Sequence, residues 1–253
     1  MFFSIIEMDD AVGQILESLE ANGLTENTLV YFTSDHGAHI DIGSQGGSNQ
    51  PFKGGKGIDP SEGGIRVPGI IKWPGKIIQK STIDEPISML DFRATIEDLV
   101  SQKYSPNSDG KSFLHLLDGN QESLPKMRVF RHYCGTNLHA LRIQHQGYTY
   151  KIYRRYPKVN ADGHCGKGKL CGCFGDDIQE FKEWRIYNLT QDPIEETMLD
   201  NQDFRLQEIK GLAGVAFEEA DNEDHPPSQL SSMIQVMPRP WMQPCHNFPF
   251  CNT

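Results

Sequence analysis

The sequence predicts an α/β protein, a partial sheet with helices, followed by a smaller region built from short antiparallel strands and a helix. Three observations carry this expectation. A helix-patterned segment leads straight into an apolar, β-branched run near the start of the chain. A long glycine-rich stretch then follows the end of that run, where ligands gather in open α/β sheets. Beyond about Pro125 the texture changes to short aromatic and β-branched runs.

The elements follow in order. From Glu7 to Asn22 the residues Met8, Val12, Ile15, Leu16 and Leu19 recur at helical spacing, and Asn22-Gly23 is a stop signal. Thr28 to Thr33 is β-branched, aromatic and apolar throughout, as expected of a parallel strand buried on both faces. Residues 37–64 hold Gly-Ser-Gln-Gly-Gly-Ser and Lys53-Gly-Gly-Lys-Gly57, which predicts a long loop, and loops of such length commonly carry function. A second strand is expected at Ile65 to Trp73, interrupted by Pro68, then helices at Met89 to Val100 and Ser112 to Leu117. Strands are expected at Met127 to Tyr133, Leu138 to Ile143, Tyr148 to Tyr153 and Trp184 to Leu189, with a helix from Asp203 to Ala220 packed on them. The proline-rich tail from Pro238 is expected to lie extended, and no internal repeat is visible.

Composition narrows the function classes. The chain of 253 residues is 37% hydrophobic and 23% charged, with a mean hydropathy of −0.51, and no window offers the roughly 18 apolar residues of a membrane span. A net charge of −10 disfavours a nucleic-acid partner. An anionic substrate would need a local cationic site. Six cysteines, all from Cys134 onward and in glycine-rich surroundings, favour disulfides and an oxidising compartment. The opening Met-Phe-Phe-Ser-Ile-Ile-Glu lacks the features of a signal peptide, so the observed start is expected not to be that of the natural domain.

The chemistry concentrates in Thr33-Ser-Asp-His-Gly-Ala-His39, which delivers a carboxylate and an imidazole to the end of a strand. Asp35 and His36 there could bind a metal ion, or the segment could simply turn the chain, Asp35 capping and Gly37 supplying a left-handed residue. Lys53 and Lys56 stand among glycines, where bare backbone lets a small anion approach an ammonium group. His115, His132, His139 and His145 are expected to be packed or surface residues. Asn188-Leu-Thr190 has the form of a glycosylation sequon, but within an expected strand.

Thr33-Ser-Asp-His-Gly37, Gly54-Gly-Lys56, Glu62-Gly-Gly-Ile-Arg-Val-Pro-Gly69 and Trp73-Pro74, in that order, resemble the second half of a sulfatase. So do "EMDDAVGQIL", "IDEPISMLD", "HYC" and "YNLTQDPIE", and the Cys-x5-Cys-x-Cys cluster is most similar to the steryl sulfatase and arylsulfatase branch of that family. The resemblance implies an alkaline-phosphatase-like fold. Residues 1–124 would be the C-terminal part of the α/β catalytic domain, and 125–253 a small domain with a four-stranded antiparallel sheet, a helix and an extended tail.

It further implies calcium held in part by Asp35 and His36, and a sulfate-binding lysine at Lys56. One more residue lies between Lys56 and Glu62 than in the family pattern, so Lys53 is the fallback. The disulfides implied are Cys134 with Cys173, Cys165 with Cys171 and, by default, Cys245 with Cys251. The family's nucleophile is a formylglycine made from a Cys-x-Pro-x-Arg motif, which this sequence does not contain. The expectation is therefore a fragment, inactive alone, of a hydrolase of aryl or steroid sulfate esters in the endoplasmic reticulum or lysosome. Its oligomeric state is left open, and an unpaired sheet edge makes it unstable by itself. The alternatives are an inactive remnant serving as a binding or structural module, and a related phosphoesterase.

Overall fold

The computed structural model describes residues 2–58, 60–100, 109–117, 127–161, 163–165 and 171–223. Residues 1–221 form one compact unit and 222–253 a second, of which only the end of the last helix is described. The tail and the pair Cys245 and Cys251 lie outside the described residues.

Helix α1 (Phe2–Ala21) starts earlier than its periodicity predicts. It stops as expected: Gly23 adopts φ 65°, and the amide of Leu24 reaches back to the carbonyl of Leu19 at 2.9 Å, a left-handed C-terminal cap. Strand β1 (Val30–Thr33) follows. It pairs antiparallel with β2 (Gly69–Lys72), Thr33 opposite Gly69, and is half-buried along its length. The parallel, doubly buried strand expected from its composition is thus corrected. An apolar run records that a strand is covered, not the direction of its partner.

Between these strands the long loop contains a 3₁₀ segment, Ile40–Gln45, and one turn of helix, α2 (Glu62–Ile65). That turn replaces the first residues of the strand expected from Ile65. Helix α3 (Met89–Leu99) opens with a capping box, Ser88 and Asp91 exchanging side chain and backbone bonds. Helix α4 (Leu114–Leu117) packs Phe113, Leu116 and Leu117 against Ile71, Ile83 and Phe92.

The second region is a four-stranded antiparallel meander: β3 (Met127–Cys134), β4 (Asn137–His145), β5 (Tyr148–Pro157) and β6 (Ile178–Asn188). Between β4 and β5 the turn residues Gln146 and Gly147 adopt φ 49° and 80°, the double left-handed geometry that suits tight hairpins. Helix α5 (Gln207–Asn222) covers one face. Leu141, Ile143, Ile152 and Ile186 from the strands meet Ile209, Ala213 and Phe217 from the helix in one core. Arg154 holds both carboxylate oxygens of Asp221 at 2.7 Å.

Side chains alternate across a strand, so the residues between those core positions point to the other face. These are Arg142, opposite Lys151 in the register, and Tyr153. Two cations directly across from each other repel. What compensates them comes from the first region and from the turn after β6.

Candidate functional site

The turn after β1 and the glycine loop are joined through backbone. The amide of Lys56 donates to the carbonyl of Ala38 at 3.0 Å, and that of Gly37 to Gly64 at 2.9 Å. Asn49 clamps the junction: its Oδ1 accepts from the Ala38 amide at 2.7 Å, and its Nδ2 donates to the carbonyls of Ala38 and Gly54, each at 3.0 Å. A Cβ on Gly37 would lie 1.8 Å from the Gly63 oxygen. Gly37 is therefore required for close approach; it is not among the residues with positive φ, which corrects the left-handed role considered above.

Asp35 is 80% exposed at its side chain and His36 37%. The His36 Nδ1 lies 2.8 Å from the carbonyl of Gly37. A carbonyl only accepts, so the ring proton sits on Nδ1. The Nε2 lone pair then faces Asp35 Oδ2 at 3.0 Å. An imidazole nitrogen beside a carboxylate oxygen is a donor pair of the kind divalent cations take. The donor set fits a divalent ion as part of a shell. Among the described residues no group of three or more acidic, histidine or cysteine side chains is placed to hold a metal.

The two candidate lysines differ. Both are exposed, but among the described residues the Lys56 ammonium has no hydrogen bond or ion pair. The ammonium of Lys53 instead donates to the carbonyl of Glu195 at 2.7 Å.

Next to this loop lies a buried ionic cluster that the sequence reading did not anticipate. Lys151 is 0% exposed, Glu62 1% and Glu195 3%. Lys151 Nζ is 2.8 Å from Glu62 Oε1 and 3.4 Å from Glu195 Oε1; Arg142 pairs with Glu62, and the Tyr153 hydroxyl donates to Glu195. Two carboxylates thus compensate the facing cations, as burial of charge requires. Burial pushes the Glu62 carboxyl up, but Lys151 and Arg142 outweigh it and hold the group below its ordinary value. Burial, reinforced by Lys151 and Arg142, pushes the His132 imidazole well below the ordinary histidine value, so this ring stays neutral. The only sequence signal for the cluster was the Arg142 and Lys151 alternation, and it needed the strand register to be read.

Two contacts bring the cysteine segment to the same loops. The amide of Cys171 donates to the carbonyl of Gly57 at 3.3 Å, and His164 Nδ1 meets the buried Asp41 carboxylate at 2.8 Å. The described cysteines form disulfides Cys134–Cys173 and Cys165–Cys171. Asn188 is 8% exposed and its amide nitrogen donates to Gln191, which leaves the sequon closed to a glycan. His139 is buried with Nε2 3.3 Å from the carbonyl of Cys173, and His145 lies 3.2 Å from Glu208, both as packed residues. No helix among the described residues is long and apolar enough to cross a membrane.

Comparison with known proteins gives a consistent family. Residues 3–102 match the sulfatase family and residues 125–253 the C-terminal region of aryl-sulfatase. Human arylsulfatase D is 35% identical over 98% of this chain and 44% of its own length. Human steryl-sulfatase is 34% identical over 96% of this chain and 43% of its own. The chain spans a little under half the length of these relatives. Among solved structures, the PsFucS1 sulfatase from a Pseudoalteromonas species superposes with a TM-score of 0.68 at 24% identity, over 88% of this chain and 43% of that one. A phosphonate monoester hydrolase of Agrobacterium radiobacter gives 0.51 at 19% identity, over 86% of this chain and 39% of that one. These two likenesses concern the fold.

Proposed function

The chain belongs to the sulfatase family, and from that premise we propose that it forms the C-terminal half of an enzyme hydrolysing sulfate esters, with aryl or steroid sulfates as substrates. The domain boundary in this reading stays at 124/125. Lys56 binds the sulfate group and offsets the charge that develops on the leaving oxygen. Asp35 and His36 supply two ligands to a divalent cation, calcium by family likeness, which when bound polarises the sulfate oxygens. Calcium takes roughly six to eight ligands, so residues outside this chain complete its shell. The formylglycine nucleophile likewise comes from outside this sequence. The disulfides suit a lumenal compartment of the secretory pathway.

The observation that carries this reading is the backbone junction at Ala38. It sets Lys56, exposed and with no side-chain partner among the described residues, against the turn that carries Asp35 and His36. The test is hydrolysis of an aryl sulfate and the matching aryl phosphate by the complete protein, with and without Lys56→Met. Preferred sulfate cleavage is expected, and the substitution should lower kcat/KM about 100- to 1000-fold. Preferred phosphate cleavage would replace this reading with a phosphoesterase. Absence of both activities would favour a catalytically inactive binding or structural module.

A further inference from the structure

Lys53, Glu62, Gly63 and Glu195 close a ring of hydrogen bonds between the glycine loop and the turn after β6. The Lys53 ammonium donates to the Glu195 carbonyl at 2.7 Å. The Glu62 amide donates to the Glu195 carboxylate at 3.2 Å. The Gly63 amide donates to the Lys53 carbonyl at 2.7 Å. The ring tolerates no side chain at Gly63, where a Cβ would lie 2.5 Å from the carbonyl oxygens of both Lys53 and Gly54.

Glu195 is itself held in an unusual state. Its φ is 60°, a left-handed backbone that a residue with a Cβ adopts at a cost and keeps only where surroundings impose it. Here they do: its carboxylate is fixed by Lys151 and Tyr153, its amide bonds to the carbonyl of Asp192 at 3.2 Å, and it is 3% exposed.

We propose that Lys53 and Glu195 are positioning residues, which tie the Lys56 loop to the small sheet and leave Lys56 as the lysine that meets the anion. This rests on the sulfatase reading for its purpose, but not for its geometry. The ionic face of the sheet fixes Glu195, Glu195 holds Lys53, and Lys53 with Gly63 sets the entry and exit of the loop on which Lys56 is carried. The arrangement also resolves which of the two lysines fills the anion role. Both residues are exposed, but one ammonium is committed to a backbone carbonyl, whereas the other has no hydrogen bond or ion pair among the described residues.

The test compares Lys53→Met, Lys53→Arg and Lys56→Met in the complete protein by backbone hydrogen exchange, with inorganic sulfate as the probe ligand. Lys53→Met should speed exchange at Gly63 and Lys56 about tenfold or more, since a charged donor is lost from the ring, and should leave Leu141 and Ile186 in the sheet core unchanged. Lys53→Arg keeps a donor and should restore most of the protection. Lys56→Met should leave exchange in the loop as it was and abolish the protection that sulfate confers. Unchanged exchange in Lys53→Met, or loss of the sulfate response in Lys53→Met but not in Lys56→Met, would overturn the proposal. If the exchange pattern holds while even the unsubstituted protein ignores sulfate, the tether stands and the sulfatase reading is the part that fails.

Discussion

At the scale of single residues, the junction at Ala38 depends on one amide side chain. Asn49 uses its oxygen on one backbone amide and its nitrogen on two carbonyls, so one side chain ties the turn to the glycine loop. Asn49→Asp keeps the shape and the acceptor but aims an oxygen at the carbonyls of Ala38 and Gly54. The expected cost is about 2–3 kcal/mol of stability, the penalty of bonds lost and acceptors left facing each other. Denaturant unfolding reads that loss. Exchange at the Lys56 amide, which shares the Ala38 carbonyl, should rise alongside it, and an unaltered midpoint would show the clamp to be incidental. Asn49 was invisible in the sequence because an asparagine in a polar loop is unremarkable by type. Its role lies in which carbonyls come within 3.0 Å, and only the fold decides that.

At the scale of elements, the four-stranded sheet and its helix were legible because their signals are local. Alternation, short turns and the periodic apolar face of Ile209, Leu212, Ala213, Ala216 and Phe217 each act within a few residues, and the four strands and α5 are where those signals centre them; Phe204, expected on the same face, is instead 79% exposed in the 3₁₀ turn before α5. What failed was the part set by distant partners. Strand β1 carries the same side chains whether its neighbour runs with or against it, and β2 supplied the answer. The Cys134–Cys173 disulfide joins the end of β3 to the segment before β6 across a sequence separation of 39. Replacing both cysteines by serine should destabilise the domain by about 2–4 kcal/mol through the freer unfolded chain. A matching fall in the thermal midpoint of the β3–β6 region checks it, and Cys165–Cys171, which closes a separation of 6, should matter less.

At the scale of the whole molecule, the two regions meet through charged groups, and among the described residues their apolar clusters are separate. The sheet offers α5 its apolar face, and its other face gives Arg142, Lys151 and Tyr153 to carboxylates from the first region and from the turn after β6. Glu62 is central, because it meets both cations with one oxygen and lies within 3.9 Å of Arg66 with the other. Its carboxyl is held below the ordinary value of 4.5 in the folded chain. A carboxylate depressed on folding binds fewer protons than its unfolded counterpart, so it contributes stability above about pH 4.5, and that contribution is lost as pH falls through the folded value. Glu62→Gln removes the charge at every pH, leaves Lys151 with Glu195 alone and takes from Arg142 its carboxylate partner. Breaking one partner of a buried set costs about 3–5 kcal/mol, so the variant should unfold at markedly lower denaturant near neutrality. Its stability should also depend less on pH across the acid range than that of the unsubstituted protein. Because the α2 turn that carries Glu62 also closes the ring through Gly63 and Lys53, the same change should speed exchange in the Lys56 loop. A loop left fully protected in a destabilised Glu62→Gln protein would separate the ionic cluster from the site, and the loop would then be held by Asn49 and by the Lys53 bond to the Glu195 carbonyl.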